Sequence, residues 1–124
     1  MGASSLGTLQ TCYQVAEQNH RQMFIDLMEV NNDKTKQILG FDHAIYGIHH
    51  AKDSKANFDA TDSVAQFHAA YPNISRINVA GGIDIDQAAK LSKQGIADTV
   101  IVGGKIMKSA DPLQAAKEFM KVIK

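Results

Sequence analysis

Ile77-Asn78-Val79-Ala80-Gly81-Gly82-Ile83 and Val100-Ile101-Val102-Gly103-Gly104-Lys105-Ile106 are two copies of one pattern, an apolar run ending in Gly-Gly. Between them, Asp84 to Gln94 places Ile85, Ala88, Ala89 and Leu91 at the spacing of one helical face. The order is strand, helix, strand, a βαβ unit whose ending repeats. Continuous apolar strands suit a parallel sheet covered by helices. A Gly-Gly at the carboxyl end of each strand leaves open backbone where a ligand can approach.

Two such turns on adjacent strands make a cradle for a phosphate, because unobstructed backbone N–H groups point above the strands and a helix N-terminus adds a positive dipole end. In (β/α)8 barrels this site follows the seventh and eighth strands. The competing reading is that the glycines serve only tight strand-to-helix turns. Two pairs in register favour phosphate and single out Gly81, Gly82, Gly103 and Gly104.

At 124 residues, with 44% hydrophobic residues, the chain is sized for one domain with its own core. Thirteen basic and thirteen acidic residues cancel, so no basic excess argues for nucleic acid, and no apolar run approaches membrane-spanning length. The expected partners are small molecules and protein. The single cysteine, Cys12, has no internal disulfide partner and falls on a helical pattern, so it is expected as a buried thiol in a cytoplasmic protein. Met1 to Ser5 has neither the charged nor the apolar region of a secretory signal.

Outward from the Gly-Gly strands, the chain alternates. A first helix is expected over Leu6 to Asn19, capped by Ser4 or Ser5, and a strand over Gln22 to Met28. Asp26 interrupts that strand on the face opposite Ile25 and Leu27, and a carboxylate so placed must be paired or working. Glu29, beyond the strand, reads as solvated. A short helix opens at Asn31 or Asn32 and stops at Gly40. The next strand, Asp42 to Ile48, delivers His49-His50 at its carboxyl end, and only one of the two can face a barrel mouth. Histidine there is the natural proton carrier, the competing reading being an ordinary loop histidine, and a metal pair fits less well because neighbours i and i+1 on a strand diverge.

A polar loop over Ala51 to Thr61 carries Lys52 and Lys55, which would meet a substrate anion. The helix Asp62 to Tyr71 is expected to be capped by Thr61. Asp84 with Gln87, and Asp111-Pro112 with Gln114, read as two capping boxes. The last helix, Pro112 to Ile123, gathers Leu113, Ala116, Phe119, Met120 and Ile123 on one face. The whole is α/β with four parallel strands and no second domain.

These residues resemble the hexulose-6-phosphate synthases and 3-keto-L-gulonate-6-phosphate decarboxylases of the orotidine-monophosphate-decarboxylase-like barrels, over the C-terminal half. Phe24 to Val30 is similar to strand five, and Tyr46-Gly47-Ile48-His49 with Asp53 to strand six and its loop. Val79-Ala80-Gly81-Gly82-Ile83 and Ile101-Val102-Gly103-Gly104 are similar to strands seven and eight, followed by the Ala110-Asp111-Pro112 helix start. The Ala-Gly-Gly and Val-Gly-Gly forms are closer to the synthases. The resemblance implies residues 1–124 as a single half-barrel domain, strands five to eight of a (β/α)8 TIM barrel.

It further implies aldol chemistry on ribulose 5-phosphate and formaldehyde through a magnesium-stabilised enediolate. His49 would be the proton-transfer residue and Asp26 would orient substrate hydroxyls or a lysine. Gly82, Gly103 and Gly104, with Gly81 beside them, would hold the phosphate. Lys52 stands where the decarboxylases carry a basic residue, which keeps decarboxylation as an alternative. The family's Asp-x-Lys-x-x-Asp motif occurs nowhere in this chain, and neither do its magnesium ligands. The isolated chain is therefore expected to be inactive, or to be a non-catalytic sugar-phosphate-binding half-barrel. Its exposed edges are expected to drive association, as a homodimer or with a missing N-terminal half.

Overall fold

A computed structural model describes residues 4–27, 32–41, 43–49 and 59–123. Four short strands lie side by side in chain order, all parallel: β1 (Phe24–Asp26), β2 (Ile45–His49), β3 (Ile77–Ala80) and β4 (Thr99–Val100). The helices are α1 (Leu6–Gln18), α2 (Asn32–Gln37), α3 (Ala60–Ala70), α4 (Ile85–Gln94), α5 (Gly104–Met107) and α6 (Pro112–Val122). No described helix is long and apolar enough to cross a membrane.

Alternation sorts the strand residues into two faces. Ile25, Tyr46, Ile48, Ile77 and Val79 point to the helices and are buried with Leu9, Val64, Ala88, Leu91 and Phe119 in one core. Side chains of this size each stabilise the fold by about 1.5–3 kcal/mol when fully buried. The opposite face carries Phe24, Asp26, Ile45, Gly47, His49, Asn78 and Thr99, and the register places Asp26, Gly47, Asn78 and Thr99 in one row. This face is open: Phe24 is 41% exposed and Ile101, beyond β4, is 44% exposed. The Phe24 ring lies over Gly47, where a Cβ would come within 2.5 Å of it.

The openness has a size. The chain exposes 8094 Å², whereas a closed monomer of its 13.5 kDa exposes about 6,500 Å². The excess, about 1,600 Å², is of the order one partner contributes to a large interface. Among the described residues β1 and β4 each have one neighbouring strand in the sheet, so each leaves an edge.

Several expectations are corrected. The first strand is three residues long, not seven, and the second begins at Ile45 rather than Asp42. α2 ends at Gln37, and Gly40 belongs to the turn that follows. Cys12 is exposed, because α1 buries Leu9 with Leu6, Tyr13 and Ala16 beside it, and Cys12 falls outside that stripe. α3 is capped by Asp59, not Thr61: Asp59 accepts from the Asp62 N–H at 3.2 Å, and the Asp62 carboxylate returns the bond to the Asp59 N–H at 3.2 Å. The Thr61 hydroxyl donates to the Asp59 carboxylate instead.

The two anticipated boxes are one-sided. Asp84 accepts from the Gln87 N–H at 2.8 Å and Asp111 from that of Gln114 at 3.0 Å. Gln87 Oε1, however, has no partner among the described residues, and the Gln114 amide turns to Glu118. On α6 only half of the apolar arc is covered. Phe119 is buried with Ala115 and Val122 partly so, while Leu113 and Met120 are 66% and 70% exposed.

Candidate functional site

His49 is the last residue of β2 and is paired in register with Ala80, the last of β3. The Ile101 N–H donates to the Val79 carbonyl at 2.9 Å, which carries the pairing of β3 with the β4 segment past Val100. Three carboxyl ends thus form one floor. His49 alternates with the buried Ile48 and so stands on the open face, exposed. Above this floor lies a cleft of about 550 Å³, lined by His49, Ala80, Gly81, Gly82, Ile83, Ile101, Gly103, Gly104, Lys105, Lys108 and Ser109.

The two glycine pairs are there for different reasons. Gly81 and Gly82 have φ of 99° and 62°, backbone that side-chain-bearing residues rarely adopt, so the turn out of β3 requires glycine. Buried Ile83 and the Asp84 cap of α4 anchor that turn on its far side. Gly103 has a negative φ of −110°, and a Cβ added at Gly103 or Gly104 would meet nothing within 4 Å. Neither backbone nor neighbours forbid a side chain at this second pair. The room its glycines leave opens into the cleft they line, a cradle that a Cβ would fill.

Of the residues singled out from sequence, the structure brings His49, Gly81, Gly82, Gly103 and Gly104 to one cleft. Asp26, half-buried on the same open face, is not among its lining residues. It sits one strand over from His49 and two residues earlier in register, roughly 8 Å away by strand spacing and rise. Lys52, His50, Glu29, Asp53 and most of the polar loop lie outside the described residues. Among the described residues no three His, Cys, Asp or Glu side chains gather to hold a metal ion. The magnesium implied by resemblance finds no fitting donor set there.

Lys105, Lys108 and Ser109 were not expected from the sequence. The signal was present: Lys105 directly follows the second Gly-Gly, and Lys108 comes one helical turn later. The Ser109 hydroxyl donates to the Ile106 carbonyl at 2.9 Å.

Parallel β/α units whose cleft opens at the carboxyl ends of the strands match a piece of a (β/α)8 barrel, with the cleft on the face where such barrels bind their ligands. Residues 1–119 match the model of the Orotidine 5'-phosphate decarboxylase / HUMPS family, and the chain belongs to that family. The 3-hexulose-6-phosphate synthase of Staphylococcus aureus strain bovine RF122 / ET3-1 is 28% identical over 123 residues, covering 95% of this chain and 57% of its own length. That of strain MSSA476 is 27% identical with the same coverage.

Among solved structures, 3-hexulose-6-phosphate synthase from Salmonella typhimurium superimposes with a TM-score of 0.80 at 25% identity, over 98% of this chain and 58% of its own. A second crystal structure of a 3-hexulose-6-phosphate synthase gives 0.76 at 23% identity, over 99% and 59%, and supports the fold. The chain spans somewhat more than half the length of these relatives. Its four parallel units are half of a TIM barrel, as the sequence led one to expect.

Proposed function

We propose that the chain is the phosphate-binding half of a hexulose-6-phosphate-synthase-like carbon–carbon lyase, acting on ribulose 5-phosphate and formaldehyde. The observation that carries this reading is the cleft in which His49 meets both glycine pairs, with Gly103 and Gly104 leaving open space in it that their neighbours do not fill. The phosphate rests against the backbone of Gly81, Gly82, Gly103 and Gly104. The sugar extends over the floor of the sheet towards β2. There His49 holds the proton exchanged at the carbon that becomes the enediolate nucleophile, and Asp26, farther along the open face, orients sugar hydroxyls or a lysine.

The synthases named above, together with the Ala-Gly-Gly and Val-Gly-Gly sequences, support the synthase over the decarboxylase. The decarboxylase alternative rested on Lys52, which lies outside the described residues. No group of three candidate ligands gathers among the described residues for the metal that would stabilise the enediolate, so in this reading turnover draws on groups beyond them. This same observation favours a second reading, in which these four units bind sugar phosphate without catalysis of their own.

Closure of the open face enters the reading too. α1 precedes β1 and α6 follows β4, so the chain already supplies a helix for each seam of a closed barrel. A complement of four strands and three helices closes eight strands with eight principal helices. A second copy would bring two helices to each seam, so a complementary half fits better than the homodimer. Titration calorimetry with ribulose 5-phosphate, ribulose and inorganic phosphate tests the site. Binding of both phosphates and not of ribulose is expected, and equal binding of ribulose would refute a phosphate cradle.

A further inference from the structure

The cleft contains a feature that a backbone cradle does not explain. Lys105 and Lys108 both line it, three residues apart on the turn of α5 and therefore on one side of the chain. Among the described residues neither forms an ion pair, whereas Lys90 pairs with Asp59 and Lys121 with Glu118. Two like charges side by side at the border of a cleft favour an anion between them. Ser109, which lines the cleft beside them, has its proton committed to the Ile106 carbonyl and is left as an acceptor.

We propose that Lys105 and Lys108 supply the counter-charge for the phosphate dianion, so that side chains of this segment, and not only its glycine backbone, set affinity for the phosphorylated substrate. The inference rests on the phosphate reading above and adds its electrostatic half. A phosphate monoester carries a charge near −2 at neutral pH, which two ammonium groups balance. Backbone N–H groups contribute direction and close approach, whereas lysine acts as a compact charge whose contribution is screened by salt.

The two lysines are not equivalent. Lys105 also borders a neighbouring cleft of about 390 Å³ together with Asp84, Asp86 and Glu118, so its ammonium is drawn towards carboxylates as well as towards phosphate. Lys108 borders only the first of these two clefts. It therefore contributes the larger share of binding. Ser109, as an acceptor, suits a sugar hydroxyl or the Lys108 ammonium, but it cannot donate to the phosphate while its proton is held.

The test is calorimetry on the full chain and on Lys105→Met, Lys108→Met and the double variant, titrated with inorganic phosphate and with ribulose 5-phosphate at low and high sodium chloride. Both lysines are exposed, so stability should be unchanged, and a urea titration of each variant checks this. The expected result is at least a tenfold loss for the double variant with both ligands, a larger loss for Lys108→Met than for Lys105→Met, and a flatter dependence on salt. Wild-type binding with undiminished affinity and salt dependence in the double variant overturns the role of the lysines and leaves the backbone cradle standing. Absence of phosphate binding by the wild-type chain overturns the phosphate reading itself, and the lysine proposal with it. A loss confined to ribulose 5-phosphate would place the lysines at the sugar, contradicting the proposal.

Discussion

Replacing Gly104 with alanine separates a structural glycine from a ligand-binding one. Gly104 opens α5, and a Cβ there meets nothing within 4 Å. In the unliganded chain the substitution therefore introduces no clash. It should raise stability by about 0.5 kcal/mol, through helix propensity and a less flexible unfolded state. In the liganded state the methyl group occupies the cradle and holds the phosphate off the backbone. Loss of one hydrogen bond to a charged group costs about 1.5–3 kcal/mol, which is roughly a ten- to hundredfold weaker dissociation constant.

Gly82→Ala is the contrast, because its φ of 62° makes any side chain cost about 1–2 kcal/mol whether or not ligand is bound. Urea titrations give the stabilities, and calorimetry with inorganic phosphate gives the affinities. A Gly104→Ala chain that binds phosphate like wild type, or that is destabilised as much as Gly82→Ala, would refute the argument that the second glycine pair exists for a ligand.

Other substitutions probe the remaining parts of the account. His49→Gln should leave phosphate affinity within about twofold, a difference below 0.5 kcal/mol. In a barrel completed by its other half, exchange of the substrate's carbon-bound proton, followed by NMR, should fall at least a hundredfold, the lower end for loss of a general base. The Tyr46 hydroxyl donates to the Ile38 carbonyl at 2.5 Å in the core; Tyr46→Phe should cost about 1–3 kcal/mol of unfolding free energy by orphaning that carbonyl. At the start of α3 the Thr61 hydroxyl, followed by the Asp62 N–H and the Lys90 ammonium, holds the Asp59 carboxyl below its ordinary value of 3.8. Its folded pKa is depressed, so its contribution is complete above 3.8 and is lost as pH falls through the folded value. The difference in urea midpoint between wild type and Asp59→Asn should therefore be constant from neutral pH to about 5 and shrink below 3.8.

The sequence made the central part of the fold readable because β3, α4 and β4 obey simple rules together. Their apolar runs, the Asp84 cap and the Gly-Gly turns all agree, and the structure follows them except at β4, which covers Thr99–Val100 and leaves Ile101 and Val102 of the expected run beyond it. That His49 stands at the carboxyl end of its strand was readable in the same way, whereas its pairing with Ala80 is known from the structure alone. What escaped was whatever depends on neighbours. Thr61 stood next to the expected helix, but Asp59 could exchange bonds with Asp62 across the first turn, and reciprocity decided the cap.

The exposure of Leu113, Met120 and Cys12 could not be read from periodicity, which says where an apolar face lies and not whether anything covers it. Lys105 and Lys108 do not stand out in the sequence, because a lysine after a strand is usually solvated. Only the cleft shows that both border the glycine pairs.

A phosphate held by the backbone of two Gly-Gly turns is visible to amide NMR, which observes that backbone directly. A 15N-labelled chain titrated with inorganic phosphate should show saturable shifts, the largest at the N–H groups of Gly81, Gly82, Gly103 and Gly104, with Lys105 and Lys108 next. Shifts that never saturate, or that centre on the far ends of the strands near Ser75 and Asp98, would contradict such a cradle.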